Sequence, residues 1–596
     1  MKKFIEKNKI LLILIAIMAI AVFFRLWKLD SIPPGLYPDV AINGNEALEA
    51  LKSGNFKLFY PENNGREGLF INLISLSFAV FGVSIWSIKI VAAIFGILTV
   101  LGVYLLTQEV FQNGTSSSCE TARYKMEQVR PARQQDTKYI ALLASFFLAI
   151  SFWHTNFSRI GFRVISLPFF LVFSFYFLLK GFRNKKALHF ILGGIFFGLG
   201  FYTYTSFRFA VLLLPVIFIP FWLNSKREDY KNLAFGKNLV SFRNQKEFLI
   251  RTLPSARTLF LSEIKSVYFL LAVFLIALPI GIYFLKNPAD FVGRAAPISI
   301  FAATNPLKEF AKSLVLHLGM FNFYGDGNWR HNFAGSPMLF WPIGILFLIG
   351  LCISLKKTLT KSNYQKENYR SLFPFYFLIF TFLIMLLPGA LTKEGLPHAL
   401  RVAGVIPVVY VFAGMGAWET YKMLSENTKR KKMLFLASTL FLLAMTSYEF
   451  NKYFIVWAQK KEVRDAFSSN YIEIGNYLNS LSPEIKKYVI VNQDGVAVPW
   501  PDGLPMPAQT VMFIENAKYG KIQSIYLKTS EIDEITTDSE RSEEQGSEER
   551  SDEGSYNRKT EIVMLQNDAE IFVKLKTKFP DGKTKIEDDI WRFEID

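Results

Sequence analysis

The segments Ser31-Ile-Pro-Pro-Gly-Leu-Tyr-Pro-Asp39-Val-Ala-Ile-Asn-Gly-Asn-Glu46 and Asn63-Asn-Gly-Arg66-Glu67-Gly-Leu-Phe70 set acids and an arginine between two apolar stretches. Ionisable groups held at a bilayer surface mark a functional site by default, because nearby hydrocarbon makes charge costly. Val40 to about Ser53 reads as a helix closed by Gly54. On it Asp39, Asn43 and Glu46 stand at i, i+4 and i+7, sharing one face beside the apolar stripe of Val40, Ala47, Leu48 and Leu51. A carboxylate so placed can take a proton from an acceptor hydroxyl. The plainer reading of Asp39 is a helix N-cap.

Cations recur in the connections assigned to the same side: Arg66 beside Glu67, then Arg159, Arg163, Arg208, Arg330 with His331, and Arg401. Snorkelling accounts for one or two such residues. A recurrent set in outer loops, which normally lack arginine, points to an anionic ligand. Guanidinium groups match phosphate oxygens bidentately, so a phosphorylated lipid headgroup fits. The polar, glycine-rich loop from Asn322 to Gly335, which holds Asp326, reads as a cleft wall. Glu67 and His331 form a weak candidate pair for a divalent metal. His154 and His398 lie at the ends of apolar segments and read as interfacial residues rather than ligands.

These residues require a membrane scaffold. Of 596 residues, 51% are hydrophobic and 59 are Phe, and the mean hydropathy is +0.24, too apolar for a soluble chain of this length. Apolar segments recur from Ile10 to Glu449, the first reading as an uncleaved helix after a basic start. Five strongly basic connections belong on the cytoplasmic side. Parity then demands that one apolar segment not cross. Leu69 to Gly82 is the candidate, since about 14 residues at 1.5 Å each reach roughly 21 Å, short of a core about 30 Å thick. The result is about 11 transmembrane helices plus juxtamembrane helices, with a cytoplasmic N-terminus and an extracytoplasmic C-terminus. The formal charge of +17 follows from cytoplasmic basic loops and does not call for nucleic acid. Cys119 and Cys352 make neither a disulfide framework nor a thiolate metal site. Gly198 to Gly200 and Gly325 to Gly327 lack the strand-to-helix context of a nucleotide fingerprint, and the chain has no P-loop motif.

Residues 1–450 therefore read as the membrane domain, with 31–85 its first outer loop, and 451–596 as a small α/β domain outside. There Tyr488 to Asn492 and Thr510 to Ile514 read as strands and Asp465 to Leu481 as a helix. The acidic, serine-rich stretch near 531–555 reads as a disordered insertion.

Five segments together resemble the GT-C membrane glycosyltransferases of family 39, the protein O-mannosyltransferase and aminoarabinose-transferase type. They are Pro33-Pro-Gly-Leu-Tyr-Pro-Asp39, Gly65-Arg-Glu-Gly-Leu-Phe70, Ser158-Arg-Ile-Gly-Phe-Arg163, Gly325-Asp-Gly-Asn-Trp-Arg-His331 and Leu396-Pro-His-Ala-Leu-Arg401. The resemblance implies a cell-membrane enzyme that uses a polyprenyl-phosphate sugar donor on the outer face, with inversion at the anomeric carbon. It implies an extracytoplasmic acceptor hydroxyl or phosphate on protein, lipid or glycan. Asp39 then takes the place of the catalytic aspartate, and Arg66 with the other arginines would hold the donor phosphate. Relatives often carry Asp-Glu where this chain has Asp39-Val40, so Glu46 becomes the substitute second acid. By similarity to metal-binding relatives, Glu67 and His331 would hold a divalent ion, although several family members need none. Two rival classes stand beside it: a transporter or flippase of lipid-linked sugars, which would use similar arginines without turnover but for which the sequence lacks a visible inverted repeat, and a non-catalytic membrane assembly protein that uses the C-terminal domain as its binding module.

Overall fold

The computed structural model describes residues 2–113, 120–220, 245–293, 295–360, 369–498, 503–536, 559–587 and 590–595. Cys119 and most of the acidic stretch, from 537 on, lie outside them. Along the chain come α1 (Lys2–Leu26), α2 (Pro38–Ser53), a hairpin of β1 (Phe59–Tyr60) and β2 (Arg66–Glu67), and α3 (Leu69–Phe81). Next are α4 (Ile85–Asn113), α5 (Glu120–Ile150), α6 (Phe152–Phe157), α7 (Ser166–Asn184) and α8 (Ala187–Gly200). After them stand α9 (Gln245–Lys286), α10 (Pro288–Val292), α11 (Pro306–Gly319), α12 (Trp341–Leu359), α13 (Tyr369–Ala390), α14 (Ile406–Asn427) and α15 (Lys431–Phe450).

Among the described residues, eight helices are long and apolar enough to cross a membrane. Leu69–Phe81, Ala187–Gly200 and Thr205–Pro220 are apolar but shorter. The chain divides into two compact units, one of Met1–Trp27 with Ala92–Ile455, the other of Lys28–Val91 with Val456–Asp596. A boundary near 450 was expected, but with the first outer loop on the membrane side of it. The loop instead packs with the C-terminal region, where Ile42 of α2 clusters with Val498 and Met506 and Asn45 reaches Gln509.

The first unit is held by close helix pairs. Gly350 on α12 lies against the Phe412 carbonyl, and Gly416 on α14 lies against the Leu346 carbonyl, with no space for a Cβ at either position. Such small-residue contacts drive helix packing where water exclusion cannot. Phe196 on α8 stacks against Phe173 and Phe177 on α7 at 5.5 and 5.6 Å between ring centroids, so the abundant phenylalanine fills helix seams.

In the second unit, α16 (Lys461–Ala466) and α17 (Ser469–Ser480) precede β3 (Lys486–Val491), and a small hairpin pairs β4 (Ala497–Val498) with β5 (Leu504–Pro505). Then follow α18 (Ala508–Tyr519), β6 (Ile525–Lys528), β7 (Thr560–Met564), α19 (Ala569–Lys578), β8 (Lys583–Glu587) and β9 (Ile590–Ile595). The sheet runs β6-β3-β7-β9-β8. Its first three strands are parallel, and β9 is antiparallel to both β7 and β8. One core joins α17 and α18 to the sheet, and the other joins α19 and the turn at 529–535, where Ile532 and Ile535 are buried.

Two expectations are corrected here. Thr510 to Ile514 is not a strand but the middle of α18, buried almost throughout. A short apolar run buried on several sides carries no period that separates strand from helix. The helix expected over Asp465 to Leu481 is broken into α16 and α17 at Phe467 and Ser468, where Ser468 has φ 54°.

Candidate functional site

Each unit gathers a polar cluster. In the second unit, α2 starts at Pro38, whose missing N–H costs nothing in the first turn. The N-cap is consequently Tyr37, and Asp39 sits inside the first turn, which corrects the N-cap reading. There its charge is favoured by the helix dipole. Asp39 is half-buried and accepts a hydrogen bond from Asn63 Nδ2 at 2.9 Å through Oδ1. Asn63, Asn64 and Gly65 are all left-handed, with φ of 51°, 61° and 84°, a conformation that Asn and Gly tolerate best.

The same turn delivers Arg66, which is 1% exposed. Its Nη1 donates to Asn43 Oδ1 at 2.7 Å, its Nη2 to Glu46 Oε1 at 2.7 Å, and its Nε to the Glu62 carbonyl at 3.2 Å. The face of α2 that carries Asp39, Asn43 and Glu46 is thus fastened to residues 62–66. Burial pushes the Glu46 carboxyl up to about 7, against the opposing pull of Arg66 and with help from neighbouring Glu62. Glu67 is buried in β2, paired with Phe59. Arg66, expected at a donor phosphate, has every guanidinium nitrogen engaged within its own loop.

In the first unit, Asp326 is the centre of the second cluster. Its Oδ2 accepts from the Ala399 amide at 2.8 Å and faces His331 Nδ1 at 2.9 Å, while Oδ1 accepts from the Asn328 amide at 2.8 Å. The His331 and His398 rings lie 4.9 Å apart. One ligand atom each of Asp326, His331 and His398 falls within 4.8 Å of the others. His398 is therefore corrected from an interfacial residue to a member of this cluster. His317 Nδ1 contacts the Ser313 carbonyl at 2.8 Å, so it carries the proton and leaves Nε2 to accept the His398 amide at 3.1 Å. Burial, then His331 and Arg401, hold the His398 imidazole well below its ordinary value. A neutral imidazole with its buried Nδ1 lacking a hydrogen-bond partner among the described residues, beside a second histidine and a carboxylate, suits a divalent ion. Glu67, the expected partner of His331, belongs to the other unit.

The arginines separate by what they touch. Arg159 is buried, donating to the Phe24 carbonyl at 3.1 Å and the Trp27 carbonyl at 2.7 Å, with its guanidinium 5.0 Å from the Phe454 ring. It serves the C-terminal end of α1. Arg25, which the sequence reading passed over, does the same for α5, donating to the carbonyls of Leu148 at 3.1 Å and Ala149 at 2.6 Å. Its contact with His154 Nδ1 at 2.7 Å shows His154 to be a buried packing partner rather than interfacial. An arginine in the last turn of an apolar segment was the available signal. Arg163 lies 5.4 Å from the Tyr204 ring, and Arg208 lies 4.2 Å from the Phe291 ring while bonding the Phe291 carbonyl at 2.5 Å. Arg330 and Arg401 are half-buried, and both depress the His398 imidazole, which places their charge beside the Asp326 cluster. Arg401 also bonds Thr392 Oγ1 at 2.8 Å.

The polytopic helical membrane unit and the small C-terminal sheet region match a GT-C fold. Over almost its whole length the chain is similar in structure to ArnT from Cupriavidus metallidurans. Against ArnT bound to undecaprenyl phosphate the TM-score is 0.52 at 11% identity, covering 98% of this chain and 97% of that one. Against ArnT in the apo state it is 0.50 at 10% identity, covering 99% and 98%. Likeness at such identities establishes the fold. Neither a protein-family model nor a curated protein sequence matches the chain.

Proposed function

We propose that this chain is a membrane glycosyltransferase that moves a sugar from a polyprenyl-phosphate donor to an extracytoplasmic hydroxyl or phosphate acceptor with inversion. The observation that carries the reading is Asp39 itself, a half-buried carboxyl group at the start of α2, oriented by Asn63 on the helix face that also carries Glu46, which Arg66 holds. The motifs resembling family 39 and the GT-C fold support it. The ArnT structure with undecaprenyl phosphate supports a polyprenyl phosphate as the lipid partner.

In this scheme the acceptor oxygen attacks the anomeric carbon while the bond from that carbon to the phosphate oxygen breaks. Asp39 takes the acceptor proton, and polyprenyl phosphate leaves with the bonding electrons. Arg330 and Arg401 stabilise the charge that grows on the phosphate, with Arg163 and Arg208 as further candidates. Arg66 acts as a positioning residue through Glu46 and Asn43, and Arg159 as a structural cap. Asp326, His331 and His398 are the residues that would hold a divalent ion, whose chemistry there would be neutralisation of charge at a phosphate oxygen. The reading places the protein in the cell membrane, with the N-terminus inside and the C-terminal region outside.

Purified protein incubated with labelled polyprenyl-phosphate sugars and a membrane extract as the source of acceptor is expected to yield free polyprenyl phosphate and a glycosylated acceptor in equal amounts. Movement of intact donor across vesicles without its consumption would replace the enzyme with a flippase.

A further inference from the structure

α2 has a second polar face, turned away from the one that carries Asp39. Asn45 stands about 200° around the helix from Asn43, is 4% exposed, and reaches α18. Its Nδ2 donates to Gln509 Oε1 at 2.9 Å and to the Gln509 carbonyl at 3.1 Å, while its Oδ1 accepts from Asn516 Nδ2 at 3.2 Å. Gln509, Phe513 and Asn516 lie at i, i+4 and i+7 of α18 and so share the face that meets α2. Between the two polar contacts, Gly44 sits against the Phe513 ring with no space for a side chain. Both ends of α2 are tied as well: Thr510 Oγ1 donates to the Leu36 carbonyl at 2.9 Å, and Lys52 Nζ donates to the Gly520 carbonyl. Four side-chain contact points thus fasten one sixteen-residue helix to a helix that the chain makes some 460 residues later.

We infer that α18 is a positioning element for the reacting carboxylate, so that the C-terminal soluble region is a working part of the transferase rather than an appended module. This rests on the assignment of Asp39 as the base. Polar groups this deeply buried are costly to leave unmade, so the amide pairing selects one register and rotation of α2 over its neighbours. Rotation by one residue would carry Asp39 and Glu46 through about 100°, away from Asn63 and Arg66. The proton acceptor is therefore aimed from behind, by Gln509 and Asn516.

The test uses full-length protein in lipid nanodiscs, with Asn45→Ala, Gln509→Ala, the double variant, and Gln509→Glu, which keeps an acceptor for Asn45 Nδ2. Amide hydrogen exchange over residues 38–53 and steady-state transfer from a labelled polyprenyl-phosphate sugar are both measured. The two alanine variants are expected to exchange about tenfold faster in α2 and to lose about tenfold in kcat, with donor KM changed less than about twofold. The double variant should be no worse than the weaker single, as expected for partners in one network. Gln509→Glu should restore both readouts. Asn492→Ala, which breaks the pairing of Asn492 with Gln566 elsewhere in the same unit, should leave kcat unchanged. Unchanged exchange in α2, unchanged kcat despite faster exchange, or an equal loss in Asn492→Ala would each overturn the inference. If the wild-type chain transfers no sugar, the functional reading falls, and the exchange data alone decide whether α18 holds α2.

Discussion

Asn63 donates its side-chain amide to Asp39 Oδ1 at 2.9 Å from a backbone turn with φ of 51°. The bond fixes the plane of the carboxylate before any substrate arrives, and the left-handed turn that supplies it also swings Arg66 onto Glu46. Replacing Asp39 by Asn keeps the shape and removes the base. We expect Asp39→Asn to lower kcat by ~10²–10⁴-fold with an unchanged melting temperature in detergent. Wild-type turnover in a folded Asp39→Asn protein would remove this residue from the chemistry.

Arg66 and the pair Arg330 and Arg401 should fail in different ways. Alanine at Arg330 or Arg401 is expected to raise donor KM by about 10- to 100-fold, in keeping with one lost charge-assisted phosphate contact each. Alanine at Arg66 leaves Glu46 and Asn43 unmatched inside the loop, so kcat and thermal stability should fall together with little change in donor KM. Titration with a non-hydrolysable polyprenyl phosphonate separates the two patterns.

Glu46 supplies a pH signature. Its folded-state carboxyl lies near 7, above the ordinary carboxylate value, so the folded chain holds a proton there that the unfolded chain has released. Linkage then requires this group's contribution to be largest below the unfolded value and to be lost as pH rises through about 7. Melting temperatures between pH 5 and pH 8 should decline in the wild type by a few degrees more than in Glu46→Gln. Equal slopes would show that Glu46 is already ionised in the acidic part of that range.

The cluster of Asp326, His331 and His398 predicts one divalent ion per chain. Cobalt titration should give the visible absorption of a nitrogen- and oxygen-liganded site, and zinc should compete it away. His398→Ala and His331→Ala are each expected to lower metal content measured by mass spectrometry by at least about tenfold. Stoichiometric binding in the double variant would place the ion elsewhere.

Much of the scaffold was legible because membranes impose simple rules. The length of α3 and the Gly54 cap follow from span thickness and left-handed glycine, and β3 follows from its β-branched run. The face shared by Asp39, Asn43 and Glu46 was also legible, since helical spacing alone sets it. What was not legible is whom each cation meets. Arg159 and Arg330 look alike as letters, yet one caps backbone carbonyls in the interior and the other lies beside the Asp326 cluster, a difference set by tertiary packing. His331 and His398 are 67 positions apart and meet only because the Ala399 amide and the His331 ring converge on Asp326. Pro38 was the overlooked local signal, for a proline at the first helical position moves Asp39 off the cap and into the first turn.

The capping of α1 by Arg159 has a bearing on biogenesis. Arg159 follows Trp27 by 132 residues, which at ~5–20 residues per second is a delay of roughly 7 to 26 s during synthesis. Throughout that interval the first helix sits in the bilayer with its last carbonyls awaiting their guanidinium. The cap on α1 is consequently completed late, only after α4 and α5 have been made.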